Sequence, residues 1–132
     1  MVFEFFARGV PAAHQYRQTK FGVIYRKARV VTWQRTIAQE ALIAAGPAFQ
    51  PAIGRISLAF VFWFPIPKSR KDLIAGQVHL QDPDCTNLQK AAEDALKGVL
   101  IADDNLVYRV STEKKWCAQG KEGVAVKVEI DE

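Results

Sequence analysis

Alternation of apolar and polar side chains predicts the strands of this chain. The strongest case is Arg55 to Phe64, where an apolar side chain occupies every second position from Ile56 onward, the spacing expected of a β-strand. The intervening positions, Ser57, Ala59, Val61 and Trp63, are also largely apolar. This pattern predicts an interior strand, or one whose second face is covered by a partner. Clear alternation predicts three further strands: Phe3 to Arg8, Leu106 to Ser111 and Val124 to Ile130.

Two segments instead have apolar residues at helical spacing. The first is predicted to run from a cap at Thr32 to about Ala45, before Gly46-Pro47. Its apolar stripe is Trp33, Ile37, Ala38, Ala41, Leu42 and Ala45. The second is predicted to begin at Thr86, with Gln89 completing a capping box, and to end at Gly98. Its stripe is Leu88, Ala91, Ala92, Ala95 and Leu96.

The remaining segments complete an order of β-β-α-β-(β)-α-β-β. Gly22 to Tyr25 and Val78 to Leu80 are candidate short strands, and Lys114 to Trp116 is predicted to be a polar turn. This order predicts an α+β fold, with one mixed sheet and two helices on one face, in a single domain over residues 1–132. We expect the second helix to cover the sheet and to point its N-terminal end into an acidic cleft.

Composition and cysteine usage are those of a soluble globular protein. The chain has 132 residues, 49% of them hydrophobic and 24% charged, which suffices for one domain with a buried core. The apolar run from Ile56 to Ile66 is too short to span a membrane, and the N-terminus has no basic region of a signal peptide. Cys85 and Cys117 lack the spacing of a metal site. We therefore expect a reduced cytoplasmic protein with no membrane partner. We expect a structural role for His79, although its position before the acidic residues would also let it approach them.

Basic residues are concentrated in the first third of the chain. Residues 1 to 36 contain seven Lys or Arg and one acid, Glu4, whereas the rest contains 11 basic and 13 acidic residues. Such a region can bind a phosphate backbone, and Tyr16 beside Arg17 can stack on an unpaired base. Solvated loops would have the same composition. The candidate DNA contacts are Arg17, Lys20, Arg26, Lys27, Arg29, Lys68, Arg70 and Lys71.

Carboxylates flank the second predicted helix. Asp82 and Asp84 precede it, and Asp103 and Asp104 follow it. Aspartate oxygens suit Mg²⁺ or Mn²⁺, and such a metal can activate water and stabilise the leaving oxygen of a phosphodiester. Lys90, one turn into the helix, is placed to meet a phosphate or the attacking water. Asp near a helix start is also favoured without any metal, so the spacing alone leaves both interpretations open.

A longer motif surrounds these carboxylates. It reads Pro83-Asp84-x-x-Asn87-Leu88-x-Lys90-x-x-x-Asp94-Ala95-Leu96-x-Gly98, followed by Asp103-Asp104-x-x-Val107. This run resembles the signature of RusA-like Holliday-junction resolvases, small endodeoxyribonucleases often carried by phages and prophages. The resemblance extends over nearly the whole chain, and its specific part is residues 82 to 107. It implies a homodimer that acts on branched DNA, including four-way junctions, with Mg²⁺ or Mn²⁺ as cofactor.

The resemblance also implies roles for individual residues. Asp84 matches the first metal-binding aspartate of the family and Asp104 the distal one. Lys90 matches a lysine that assists phosphate chemistry, and Asn87 and Asp94 match positions that shape the site. The family usually has a second aspartate where this chain has Thr86, and a hydroxyl is a poorer ligand for a hard dication. Either Asp82 or Asp103 supplies the missing ligand, or cleavage is weak or lost.

Three hypotheses follow for function. The first is a metal-dependent, structure-selective endonuclease that resolves junctions by paired symmetric nicks. The second is a module that binds branched DNA but cuts it poorly because of Thr86. The third is a small interaction domain whose acidic motif is only a capped helix, and it predicts neither junction affinity nor metal dependence.

Overall fold

The strands form one mixed sheet. The computed structural model describes residues 1–13 and 22–131, and for residues 22–27 it describes the backbone alone. The strands in these residues are β1 (Val2–Arg8), β2 (Arg55–Pro65), β3 (Val107–Cys117) and β4 (Gly123–Asp131). They lie in the order β1-β4-β2-β3, with β4 antiparallel to β1 and β2, and β3 parallel to β2. The helices α1 (Gly22–Ala45) and α2 (Cys85–Leu96) complete the predicted α+β fold.

β2 is an interior strand, as its two apolar faces predicted. It lies between β4 and β3, and its residues from Ile56 to Phe64 alternate between buried and half-buried. The buried side chains join residues of both helices in one hydrophobic core. The half-buried ones, including Val61 and Trp63, lie on the opposite face of the sheet.

β3 is longer than its sequence pattern predicted. We expected a strand to Ser111 and a polar turn at Lys114–Trp116, but the strand continues to Cys117. Parallel pairing with β2 extends to Pro65 and Cys117, so this distant partner keeps a polar segment extended. Val78 forms only an isolated bridge to Lys115, and the strand predicted at Val78–Leu80 is absent from the described residues.

α1 begins ten residues earlier than predicted. Gly22–Tyr25, predicted as a strand, is helical, and Thr32 lies inside the helix, where its hydroxyl donates to the carbonyl of Ala28 at 3.0 Å. Leu42 is 53% exposed, because it lies about 100° around the helix from buried Ala41. The predicted end is confirmed, since Gly46 has φ +88° and its N–H donates to the Leu42 carbonyl.

The first part of the acidic motif, Asp82 to Asp84, lies near the carboxyl ends of two parallel strands. The Phe64 ring near the end of β2 stacks on His79, and the His79 ring also contacts Trp116 near the end of β3. The chain then continues through Asp82 and enters α2 at Cys85. The parallel pairing of β2 and β3 therefore positions the segment that contains Asp82 and Asp84, whereas Asp103 and Asp104 lie shortly before the first residue of β3.

Candidate functional site

Asp84 is the N-cap of α2. Its backbone is extended, and its Oδ1 accepts a hydrogen bond from the Asn87 N–H at 2.8 Å. Its Oδ2 lies 3.4 Å from the Asn87 side-chain amide. Thr86, the predicted cap, is instead the second residue of the helix and is exposed. The carboxylate two residues earlier caps the helix because its backbone is already extended there and it faces the free N–H groups of the first turn.

Thr112 of β3 holds the first turns of α2 against the sheet. Its hydroxyl donates to the side-chain oxygen of Gln89 at 2.8 Å, and the Cys85 thiol donates to its carbonyl at 3.9 Å. The capping box predicted between Thr86 and Gln89 is therefore wrong, because Gln89 turns toward β3. The buried stripe of α2 is the predicted one: Leu88, Ala91, Ala92, Ala95 and Leu96.

His79 is part of the core beneath the motif loop. The side chain is 3% exposed, with ring centroids 4.3 Å from Phe64 and 4.2 Å from Trp116. Burial, followed by the nearby charge of Lys114, lowers the pKa of His79 and favours its neutral form. The predicted structural role of His79 is therefore confirmed.

Lys114 is a contact of the motif that the sequence pattern did not reveal. Its ammonium group donates to the carbonyl of Gln81 at 2.6 Å and to that of Pro83 at 2.9 Å. A signal was present, since Thr112, Lys114 and Trp116 occupy alternate positions of one strand and so share a face. Because Lys114 was predicted to lie in a turn, its shared face with Thr112 and Trp116 was not recognised.

The carboxylates beyond α2 lie close to each other. Asp103 caps a 3₁₀ turn (Asp104–Leu106), and its Oδ1 accepts from the Asn105 N–H at 3.0 Å. This bond is the main cause of the lowered pKa of Asp103, and a hydrogen bond with the Asp104 side chain contributes as well. The pKa of half-buried Glu93 is raised, first by burial and then by the charges of Asp104 and Asp94. Asp104 thus lies within electrostatic range of the second half of α2.

The four predicted carboxylates form two pairs at opposite ends of α2. Asp82 and Asp84 precede its first residue, and Asp103 and Asp104 lie beyond its last. Lys90 and Asp94 are exposed residues of the intervening helix. Across residues 1–13 and 22–131, no three Asp, Glu, His or Cys side chains are spaced to hold a metal ion together.

The donor chemistry nevertheless fits Mg²⁺ or Mn²⁺. These ions commonly use one or two protein carboxylates and complete their coordination with water and substrate phosphate. Asp84 is exposed and uses Oδ1 mainly for the cap, which leaves lone pairs on both oxygens. Asp103 and Asp104 are adjacent in the chain, and two neighbouring carboxylates are held together most readily by a cation or a shared proton.

A cleft of about 460 Å³ opens beside Asp82. Its charged lining residues, among those that the structure describes, are Asp82 and Arg29. Its walls are mainly apolar: Val10, Pro11, Ala12, Ala13, Val30, Phe64 and Pro83. The structure therefore brings one of the predicted DNA contacts, Arg29 of α1, next to the acidic motif.

Among the other predicted DNA contacts, those that the structure describes do not line this cleft. Lys68, Arg70 and Lys71 lie in the segment after β2, where Arg70 forms a two-bond ion pair with Asp72 at 3.0 Å. A phosphate at Arg70 would compete with that carboxylate. Tyr16, Arg17 and Lys20, and the side chains of Arg26 and Lys27, lie outside the described residues.

Comparison with known proteins gives one family. A sequence model of the family described as endodeoxyribonuclease RusA matches residues 8–130. No curated protein matches the chain. In the described parts of the chain, neither helix is long and apolar enough to cross a membrane.

Proposed function

The chain belongs to the RusA family of endodeoxyribonucleases, and from this premise we propose a metal-dependent enzyme that resolves Holliday junctions and related branched DNA by paired symmetric nicks. The observation that carries the proposal is the family match over residues 8–130, which includes the whole acidic motif. Within that motif, Asp84 presents an exposed carboxylate at the start of α2. The third hypothesis, an interaction domain with a merely capped helix, does not account for this match.

The family motif makes Asp84 and Asp104 the proposed metal ligands, with Asp82 and Asp103 as further candidates. Because the two pairs lie at opposite ends of α2, they would have to approach each other to share one ion. Mg²⁺, or Mn²⁺ in its place, would supply activation of water and neutralisation of charge on the phosphate. Asn87 orients Asp84 by donating to both of its oxygens. Lys90, exposed on α2, neutralises charge that develops on the phosphate. The P–O3′ bond breaks as water attacks phosphorus, which leaves a 5′ phosphate and a 3′ hydroxyl.

Basic side chains are proposed to bind the arms of the junction. Arg29 lies in the cleft beside Asp82, so it is placed to hold the strand nearest the acidic motif. Arg17, Lys20, Arg26 and Lys27 would extend this contact, and Lys68, Arg70 and Lys71 would form a second one. A four-way junction has approximate two-fold symmetry, so two copies of the chain related by a two-fold axis would each nick one strand.

The test is cleavage of a synthetic four-way junction with Mg²⁺ or Mn²⁺. Wild-type protein is expected to produce paired symmetric nicks, and Asp104→Asn, assayed beside it, is expected to produce none in the time that the wild type needs to cut the junction completely. An intact junction that the wild type binds normally in the presence of metal would overturn the nuclease proposal. It would favour a second function, that of a branched-DNA-binding protein with weak or lost cleavage.

Thr86 is the observation behind this second function. It is exposed in the first turn of α2, two residues after Asp84, and it has no carboxylate to add to that end of the site. We expect Thr86→Asp to lower the metal concentration needed for half-maximal cleavage roughly tenfold, because carboxylate count tunes the affinity of oxygen sites for hard cations. The helix should tolerate the change, since its N-terminus favours negative charge.

Thr86→Asn is the matched control, because it has nearly the same size as Asp without the charge. Metal titrations of the cleavage rate for the three proteins separate the alternatives. An unchanged metal requirement in Thr86→Asp would show that Asp82, Asp103 or solvent already completes the site.

A further inference from the structure

The loop that leads to Asp84 is attached to β3 in two different ways. Its first part is held by backbone hydrogen bonds, from Gly76 to the Trp116 carbonyl, from Trp116 to the Gln77 carbonyl and from His79 to the Lys114 carbonyl, at 2.8 to 3.0 Å. Its last part, Gln81 to Pro83, is held by the Lys114 side chain. The Gln81 N–H also donates to Nδ1 of His79 at 3.4 Å, but the carbonyls of Gln81 and Pro83 both accept from this one ammonium group.

The geometry of these two bonds makes Lys114 an effective anchor. A protonated lysine has three N–H donors and no acceptor, and two of the donors are used on carbonyls two residues apart. Bonds from a charged donor are shorter and stronger than those between neutral groups. Since Pro83 directly precedes Asp84, the bond to the Pro83 carbonyl constrains the backbone from which the Asp84 side chain projects.

The next residue along the strand provides a comparison. Lys115 lies on the opposite face of β3, where its ammonium group is 3.6 Å from a Glu113 oxygen and 5.5 Å from the centre of the Trp63 ring. Lys115 has the same charge and is also half-buried, but the acidic motif lies on the other face of the sheet. A charge removed at Lys115 therefore leaves the anchor of the loop intact.

We propose that Lys114 is a positioning residue for the metal site, which holds Asp84 in place through the carbonyls of Gln81 and Pro83 without touching substrate. This proposal rests on the proposed metal-dependent function. It places a supporting part of the site on β3, 30 residues beyond Asp84 in the chain. It also explains why a lysine occurs on the helix-covered face of that strand, where Trp116 is buried.

The experiment compares Lys114→Met with Lys115→Met. In metal-free protein, hydrogen exchange should become faster over residues 80–88 in Lys114→Met. This range includes the Asn87 N–H, which donates a hydrogen bond to the Asp84 carboxylate. Affinity for Mn²⁺, measured by electron paramagnetic resonance, should fall roughly 10- to 100-fold, the usual cost of removing a group that orients a metal ligand. The cleavage rate should recover largely at saturating Mn²⁺, and junction affinity without metal should be unchanged. Lys115→Met should match the wild type in all four measurements.

Lys114→Gln serves as a second variant if Lys114→Met fails to fold. Its amide is neutral and shorter and can serve only one of the two carbonyls well, so its Mn²⁺ affinity should also fall below that of the wild type. If the Lys114 variants and the wild type have the same Mn²⁺ affinity and the same rates of hydrogen exchange, the positioning role of Lys114 is overturned. The nuclease proposal is not affected by that result. A wild-type protein that binds Mn²⁺ but leaves junctions intact would overturn the nuclease proposal alone.

Discussion

Asp84→Asn is expected to lower the rate of junction cleavage by roughly 10²- to 10³-fold, the usual loss when one preorganised electrostatic group is removed from an active site. The fold should be unaffected, because Asp84 also caps α2 and Asn is an equally good N-cap. The amide oxygen can still accept from the Asn87 N–H. The substitution therefore removes the charge and leaves the cap, and the melting temperature should change by no more than about 2 °C.

Two further variants at this position separate the cap from the metal ligand. Asp84→Ser keeps a capping oxygen and Asp84→Ala removes it, so only the alanine variant should lose about 1 kcal/mol of stability. Both should cut as poorly as Asp84→Asn in a single-turnover assay at saturating Mn²⁺. If cleavage instead follows stability, with Asp84→Ser and Asp84→Asn active and Asp84→Ala inactive, Asp84 is only a cap and the metal ligand lies elsewhere.

The fold was predictable wherever the signal was local. Alternation in β2 and in β4 identified both strands, and the stripe from Leu88 to Leu96 identified the buried face of α2. Each of these patterns lies within one element, so it can be recognised before any tertiary contact is known.

The sequence-based prediction of the fold was wrong where a distant contact determines the local structure. The predicted strand Gly22–Tyr25 contains two adjacent β-branched side chains, which favour a strand, but the segment is helical, and the same helix buries Val30 in the core. Context of this kind overrides weak intrinsic preferences. In β3 the polar segment around Lys114 remains extended because β2 pairs with it, and no short window of sequence contains that partner.

The candidate site was likewise predictable where its signal was local and not where it depends on distant contacts. The carboxylates and Lys90 were identified by a motif within one segment of the chain. The cap was misassigned because Asp, Thr and Asn are all good N-caps, and only the backbone shows which of them has the extended conformation. Arg29 and Lys114 reach the motif from elements that are distant in sequence, so their contacts became visible only in the fold.

Asp104→Asn is expected to lower the single-turnover rate by a similar factor, roughly 10²- to 10³-fold, whereas Asp103→Asn should lower it by less than about tenfold. The two neighbours differ in what they already do. Asp103 accepts the Asn105 N–H and caps a turn, a role that Asn can maintain. The charge of Asp104 raises the pKa of Glu93 on α2, and Asp104 is the residue that matches the distal ligand of the family motif.

The pKa of Glu93 provides a control that does not depend on cleavage. Removal of the Asp104 charge should lower that pKa, because a neighbouring negative charge disfavours ionisation of the Glu93 carboxyl. Burial, its main cause, should still keep it above the ordinary value. NMR titration of wild type, Asp104→Asn and Asp103→Asn without metal would measure the shift. If Asp103→Asn causes the larger losses of cleavage and of Mn²⁺ affinity, the distal ligand is Asp103, and the hydrogen bond from Asn105 orients it for the metal.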